Sequence, residues 1–169
     1  MPDRYRSLVG LLVVALLGSA LASDGGTQPT AGVYYASGTV TRVVDGDTIE
    51  VSGVAQDVRV LGIDTPEPRN PVECWSDEAT AFAQATLGGQ SVDLRTDPTQ
   101  ATFDRFGRLL AYVTLSDGTD YSIAAAAAGA ARPAEVFDNT PVLLATQIAA
   151  AVESAQQSDL GLWGPPCDE

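Results

Sequence analysis

The residue pattern specifies an α+β chain whose core is a small closed β-barrel of five strands, with three helices packed on it. Three observations point there. Short runs rich in Val, Ile and Thr, separated by Asp-Gly and Ser-Gly turns, crowd residues 38–63. Helical periodicity enters afterwards in separate segments, so the element order is βββαββαα. Hydrophobic residues make up 45% of the 169, which suits one globular domain with a single core and not a disordered chain.

Thr39–Val44 is the first strand, Asp45-Gly46-Asp47 its turn, and Thr48–Val51 the second strand, alternating apolar and polar residues. After Ser52-Gly53, Asp57–Ile63 is the third, so residues 39–63 form a meander. Two prolines in Asp64-Thr65-Pro66-Glu67-Pro68 stop strand and helix alike and make this segment a loop. Ser76 is placed to cap a helix over Glu78–Leu87, which Gly88-Gly89 ends. Ser91–Arg95 and Arg108–Leu115 are the fourth and fifth strands. Ser122–Ala128 is an alanine-rich helix ending at Gly129. Thr140-Pro141 caps a last helix from Val142 to about Gln157, with Leu143, Leu144, Ile148 and Val152 on one side. Five strands in this order fit an OB-fold, a five-stranded Greek-key barrel that binds nucleic acids or sugars.

The N-terminus has the form of an export signal over residues 1–22. Arg4 and Arg6 precede an uncharged stretch whose apolar run, Leu8–Leu17, is shorter than the ~20 residues that span a bilayer. Ala20-Leu21-Ala22 has the small-x-small form of a cleavage site. Residues 23–37 are a flexible lead-in and 38–169 the folded domain. The expected product is secreted, a monomer free of the membrane; an uncleaved segment anchoring it at the cell surface is the alternative. In an oxidising compartment Cys74 and Cys167 pair, closing a 93-residue loop worth about 4–5 kcal/mol, against the alternative of two free buried thiols.

Composition removes several chemistries. Histidine is absent, which excludes a Ser-His-Asp triad, a histidine base and a histidine-ligated zinc. Two cysteines cannot form a four-cysteine zinc site. All nine basic residues are arginine against 22 acidic ones, a net charge of −13. That balance resembles proteins adapted to high salt, and equally an acidic protein from a GC-rich genome. Hydrolytic chemistry has to come from carboxylates, arginines, hydroxyls and an oxygen-ligated metal.

Those groups gather in three segments: Asp45-Gly46-Asp47-Thr48, Arg59 to Glu67, and Asp104 to Arg108. Each has a plain structural account, respectively a hairpin turn, an Arg59–Asp64 ion pair and an i,i+4 Asp104–Arg108 pair. Taken together they describe one site. In a meander the start of the second strand neighbours the end of the third, which brings Asp47 beside Asp64. Carboxylates that close need a cation, and a hard one such as Ca²⁺ takes oxygen ligands. Arg59 and Arg108 suit a phosphate, which guanidinium groups grip in bidentate fashion. Glu67 is then placed to orient or deprotonate an attacking water.

The segments DGDT, RVLGIDTPE and DRFGRLLAY resemble the motif set of the staphylococcal nuclease (thermonuclease) family, and the likeness runs from about Gly38 to Trp163. The resemblance implies an OB-fold and Ca²⁺-dependent, endonucleolytic hydrolysis of DNA and RNA that leaves 3′-phosphate ends. It implies Asp47, Asp64 and the Thr65 carbonyl as metal ligands, Arg59 and Arg108 as phosphate-binding arginines, and Glu67 as general base. Arg105 falls where the family has a basic residue near the terminal phosphate. Two tyrosines that pack on the nucleotide in the family are matched here by Glu135 and Phe137; Phe137 still offers a stacking ring, whereas Glu135 repels phosphate. DNA or RNA is the implied partner, with no stable protein partner. A non-catalytic OB-fold binding module and a phosphodiesterase for small nucleotides are the other readings of the same residues.

Overall fold

The computed structural model describes residues 31–69, 71–134 and 140–167. The signal-like segment and most of the lead-in lie outside the described residues, as do Glu135 and Phe137. The core is a closed five-stranded barrel. Its strands are β1 (Val33–Val43), β2 (Thr48–Val51), β3 (Val58–Val60), β5 (Ser91–Thr96) and β6 (Leu109–Leu115), ordered β1-β2-β3-β6-β5 around the circumference. All neighbours are antiparallel except β3 and β6, and β5 closes the barrel on β1. Helices α1 (Ser76–Leu87), α2 (Tyr121–Ala127) and α3 (Ala145–Gln157) pack on it, as expected of an OB-fold. Among the described residues no helix is long and apolar enough to cross a membrane.

Alternation explains the closure. Ile49, Val58, Val60, Leu94, Leu109, Ala111 and Val113 point inward and are almost wholly buried, joined by Ala83 and Leu87 of α1 and Ile148 of α3. One strand serves two partners because β1 is long and irregular. Its first half pairs β5, its second half pairs β2, and its register shifts once in each ladder, which bends it around the barrel.

Four boundaries differ by more than one residue from those read off the sequence. The strand starts at Val33 rather than Thr39, so Val33–Ser37 of the expected lead-in is paired to β5; Tyr34 faces Arg95 and Ser37 faces Asp93. A ladder supplied by a distant strand overrides a small, polar local composition. The third strand is broken at Leu61-Gly62, where Gly62 takes φ +81°. Beyond it β4 (Ile63–Asp64) pairs β7 (Arg132–Pro133) in a separate two-stranded sheet that local patterning gave no sign of. A side chain at Gly62 would meet Ile148 of α3, so the break is also a packing requirement. Ser76 is the buried first residue of α1 and not its cap; Trp75 precedes it in a left-handed conformation.

The last correction has a long-range cause. α3 begins at Ala145, because the N–H groups of Leu143 and Leu144 are taken by the Asp97 carboxylate (2.8 Å) and the Tyr112 hydroxyl (3.3 Å) and not by Thr140. Leu143, expected on the apolar face, is left 46% exposed. Asp97 is itself buried and also accepts from Tyr112 Oη, Thr99 Oγ1 and Thr99 N. Burial alone would raise its carboxyl, but these hydrogen bonds outweigh it and hold it below its ordinary value. Such a carboxylate stabilises the fold above its unfolded pKa, and that contribution disappears as pH falls through the depressed native one. Asp97→Ala is expected to cost about 2–4 kcal/mol by urea denaturation at neutral pH, because Tyr112 Oη and Leu143 N lose their acceptor. A midpoint within error of the parent's would show that these bonds contribute nothing net.

Candidate active site

The three chemical segments converge at one end of the barrel. The β2–β3 ladder sets Thr48 opposite Arg59, which brings the 45–47 turn against the end of β3. Val60 N donates to the Asp47 carbonyl at 2.8 Å. Two residues of α2 lock the arrangement from behind, with Tyr121 Oη donating to the Gly46 carbonyl (2.6 Å) and Ser122 Oγ to the Leu61 carbonyl (2.9 Å). Gly46 is required because a Cβ there would sit 2.7–2.8 Å from three atoms of the Thr65 side chain.

Asp47 is buried, with a residue exposure of 3%. Its Oδ2 accepts from Thr65 N (2.9 Å) and Thr65 Oγ1 (3.1 Å), and its Oδ1 from Thr48 Oγ1 (3.1 Å). Arg59 Nε lies 3.1 Å from the same Oδ1, and Arg59 Nη2 lies 2.9 Å from Asp64 Oδ1. Arg59 Nη1 donates to the Val60 and Ile63 carbonyls at 2.8 and 2.7 Å. One guanidinium therefore bridges both candidate metal ligands and ties down the chain where β3 breaks. The guanidinium makes three hydrogen bonds, to two carbonyls and to Asp64, with Asp47 as a close ion pair, and it keeps a free N–H on Nη2.

Positive charge is still short here. Burial raises the Asp47 carboxyl, the Arg59 charge and the Thr65 N–H only partly oppose this, and the Asp45 and Asp64 carboxylates push it further up. Glu67, exposed in the following loop, is also raised, first by desolvation and then by Asp45 and Asp64. Asp47 and Glu67 thus each feel the Asp45 and Asp64 carboxylates, with Arg59 as the opposing charge. Among the described residues no three His, Cys, Asp or Glu side chains are arranged to hold a metal ion. A cation there would take two carboxylates, a main-chain carbonyl and water, all oxygen donors, and that set fits Ca²⁺ and not a thiophilic metal.

Beside this cluster a cavity of about 560 Å³ opens along the barrel. Arg59, Arg105 and Arg108 line it together with Phe103 and Phe106, while Gly62, Val142 and Ile148 form apolar wall. Asp47, Asp64 and Glu67 do not line it; Arg59 is the residue the cavity and the carboxylate cluster share. Arg108 Nε is paired to Asp104 at 2.6 Å, and Asp104 Oδ1 also accepts from Arg108 N and Phe106 N. Both terminal nitrogens of Arg108 are free of partners among the described residues. Phe106 is 70% exposed, with the Arg105 and Arg108 guanidinium carbons 4.7 and 5.4 Å from its ring centre.

Both ion pairs of the plain structural accounts therefore form, Arg59 with Asp64 and Arg108 with Asp104, and they coexist with the convergence expected of a site. The expected disulfide joins Cys74 to Cys167. Sequence reasoning passed over Asp97, Phe103 and Phe106. The Asp-Pro-Thr turn at 97–99 carries a local capping signal, but nothing local shows that its carboxylate would hold α3.

The chain has relatives among known proteins. The sequence profile described as "Staphylococcal nuclease homologue" matches residues 57–165. The chain is 33% identical over 162 residues to "Thermonuclease" of Staphylococcus intermedius, covering 92% of this chain and 94% of that protein. It is 38% identical over 118 residues to "Thermonuclease" of Staphylococcus hyicus, covering 63% and 69%. It is 32% identical over 131 residues to "Endonuclease YncB" of Bacillus subtilis, covering 74% and 60%.

Proposed function

The chain belongs to the staphylococcal nuclease family, and from that premise we propose that it is a Ca²⁺-dependent nuclease hydrolysing phosphodiester bonds of DNA or RNA to 3′-phosphate ends. The observation that carries this reading is the convergence of Arg59, Arg105 and Arg108 on one cavity beside a carboxylate cluster short of positive charge. In a chain of net charge −13, three of nine arginines at one site is a concentration that suits an anion.

Asp47, Asp64 and the Thr65 carbonyl would hold the Ca²⁺, which when bound supplies a Lewis acid that polarises a phosphoryl oxygen. The chain's own groups divide the remaining work. Arg108, with its terminal nitrogens free, grips two phosphate oxygens and stabilises the charge that accumulates there as the bond to phosphorus forms. Arg59 contributes its free Nη2 N–H and its positive field, while its other contacts hold the carboxylates and the chain at the end of β3. Glu67 is the base: its raised carboxyl suits it to orient a water and take its proton. Arg105 meets an outer phosphate, and the exposed Phe106 ring stacks a base. Phe137, the other candidate stacking residue, is proposed on the resemblance alone. The disulfide supports a place of action outside the cytoplasm.

Degradation of single-stranded and plasmid DNA and of RNA, with and without EGTA, tests the reading. Metal-dependent cleavage supports it. Binding without cleavage would move the chain to a non-catalytic module, and cleavage confined to dinucleotides to a small-nucleotide phosphodiesterase, which the acidic surface would suit. That same surface predicts an unusual salt response. A basic nuclease loses polymer affinity with salt, whereas here repulsion is what salt screens, the Debye length falling to about 3 Å at 1 M. Cleavage is expected to rise several-fold between low and molar NaCl. A fall over that range, with the chain still folded, would count against it.

A further inference from the structure

On the nuclease reading, on which this inference rests, we propose that the Cys74–Cys167 disulfide is a positioning clamp for Glu67, so that full turnover requires the oxidised chain. Glu67 lies between Asp64, the end of β4, and Ser76, the start of α1, a span whose described residues form no helix or strand. The span is anchored at its N-terminal end, where Thr65 is bound to Asp47. Glu67 itself is held by a reciprocal pair: Glu73 N donates to the Glu67 carbonyl at 2.8 Å, and Glu67 N donates to Glu73 Oε2 at 3.3 Å. Glu73 is therefore the partner that fixes the Glu67 backbone, and Cys74 follows it directly.

The disulfide carries that restraint to the C-terminal tail, with the two Cα atoms 5.6 Å apart. Arg132 reinforces it from β7, its Nη1 3.9 Å from Glu73 Oε2 and its guanidinium 5.9 Å from the Trp163 ring. Trp75, next along the chain, is held left-handed at φ +73°, a conformation that L residues keep only where neighbours over-determine it. Cutting the bond lets residues 73–75 relax and leaves exposed hydrogen bonds to hold Glu67. Neither cysteine belongs to the buried core, so cutting the bond removes a chain restraint without opening a cavity in the barrel. Cys74 is exposed and open to a dithiol, which closes to its own disulfide as the S–S bond breaks and two thiols form.

The test is steady-state cleavage of single-stranded DNA by the full-length oxidised chain, by the same chain after dithiol reduction, and by Cys74→Ser/Cys167→Ser. Reduction and the double variant are expected to lower kcat by about 10- to 100-fold with little change in KM, because a displaced base costs rate and not affinity. Reoxidation restores the first. With the disulfide intact, Glu73→Ala is expected to lose kcat in the same way while Glu73→Gln, which keeps the acceptor, retains it. A bond that only stabilises would lower the melting temperature and leave kcat at room temperature unchanged; that result overturns the clamp. If the double variant fails to fold, the Glu73 pair decides, and equal kcat in Glu73→Ala and the parent overturns it. No cleavage by the oxidised parent chain would overturn the nuclease reading as well.

Discussion

Replacing Arg59 by alanine is expected to cost about 3–5 kcal/mol of folding stability in EGTA and to lower kcat by about 10³-fold. The stability loss follows from what the guanidinium touches. Asp47 is 3% exposed and its carboxylate has Arg59 as its ion-pair partner, with Asp45 and Asp64 adding repulsion. Removing the arginine leaves a buried negative charge uncompensated and frees the Val60 and Ile63 carbonyls where β3 breaks. On the proposed Ca²⁺ site, the cation and the guanidinium compete to neutralise the same carboxylates. Calcium is therefore expected to raise the melting temperature more in Arg59→Ala than in the parent. Urea denaturation with and without calcium measures both effects. A variant as stable as its parent in EGTA would show that Asp47 needs no counter-charge.

Much of the barrel was legible because its strands announce themselves locally. Thr48–Val51 alternates cleanly and is flanked by Asp-Gly and Ser-Gly, so its limits come out unchanged. Where the pairing partner lies far away, local pattern fails. Val33–Ser37 has the composition of a lead-in but is extended by β5, more than fifty residues on. β4 and β7 are two residues each, too short to carry any periodicity, and only tertiary contact defines them. The start of α3 moved because a carboxylate 46 residues away took the Leu143 N–H.

The site was legible for a different reason. Arg59 stands inside an apolar strand, and two carboxylates follow within a proline-stiffened loop, a pattern that strand formation alone does not ask for. The meander then fixes which residues meet, because the register Thr48↔Arg59 follows from turn length. What sequence left open is how the arginines divide their donors. Arg59 and Arg108 look equivalent on paper. In the fold Arg59 uses both terminal nitrogens and an ion pair on the protein, whereas Arg108 spends its Nε on Asp104 and keeps its terminal pair.

That asymmetry sets the second large effect. Glu67→Gln is expected to lower kcat by about 10²–10⁴-fold, the range for removing a general base, with a melting temperature close to the parent's. The Glu67 side chain is exposed and makes no hydrogen bond among the described residues, since its contacts with Glu73 run through the backbone. The amide keeps the size and shape of the carboxyl and removes the acceptor of a proton. Arg108→Ala should share this signature of lost turnover at nearly constant stability, because its partly exposed pair with Asp104 contributes about 0–1 kcal/mol. Its KM, unlike that of Glu67→Gln, should rise, since in the proposed role the side chain grips phosphate in the bound state as well. Three arginine and glutamate variants thus separate three roles, with Arg59→Ala losing stability and rate, Arg108→Ala affinity and rate, and Glu67→Gln rate alone. Full activity in Glu67→Gln would remove Glu67 as the base and leave water activation to another group, Asp45 being the carboxylate whose charge acts most strongly on it.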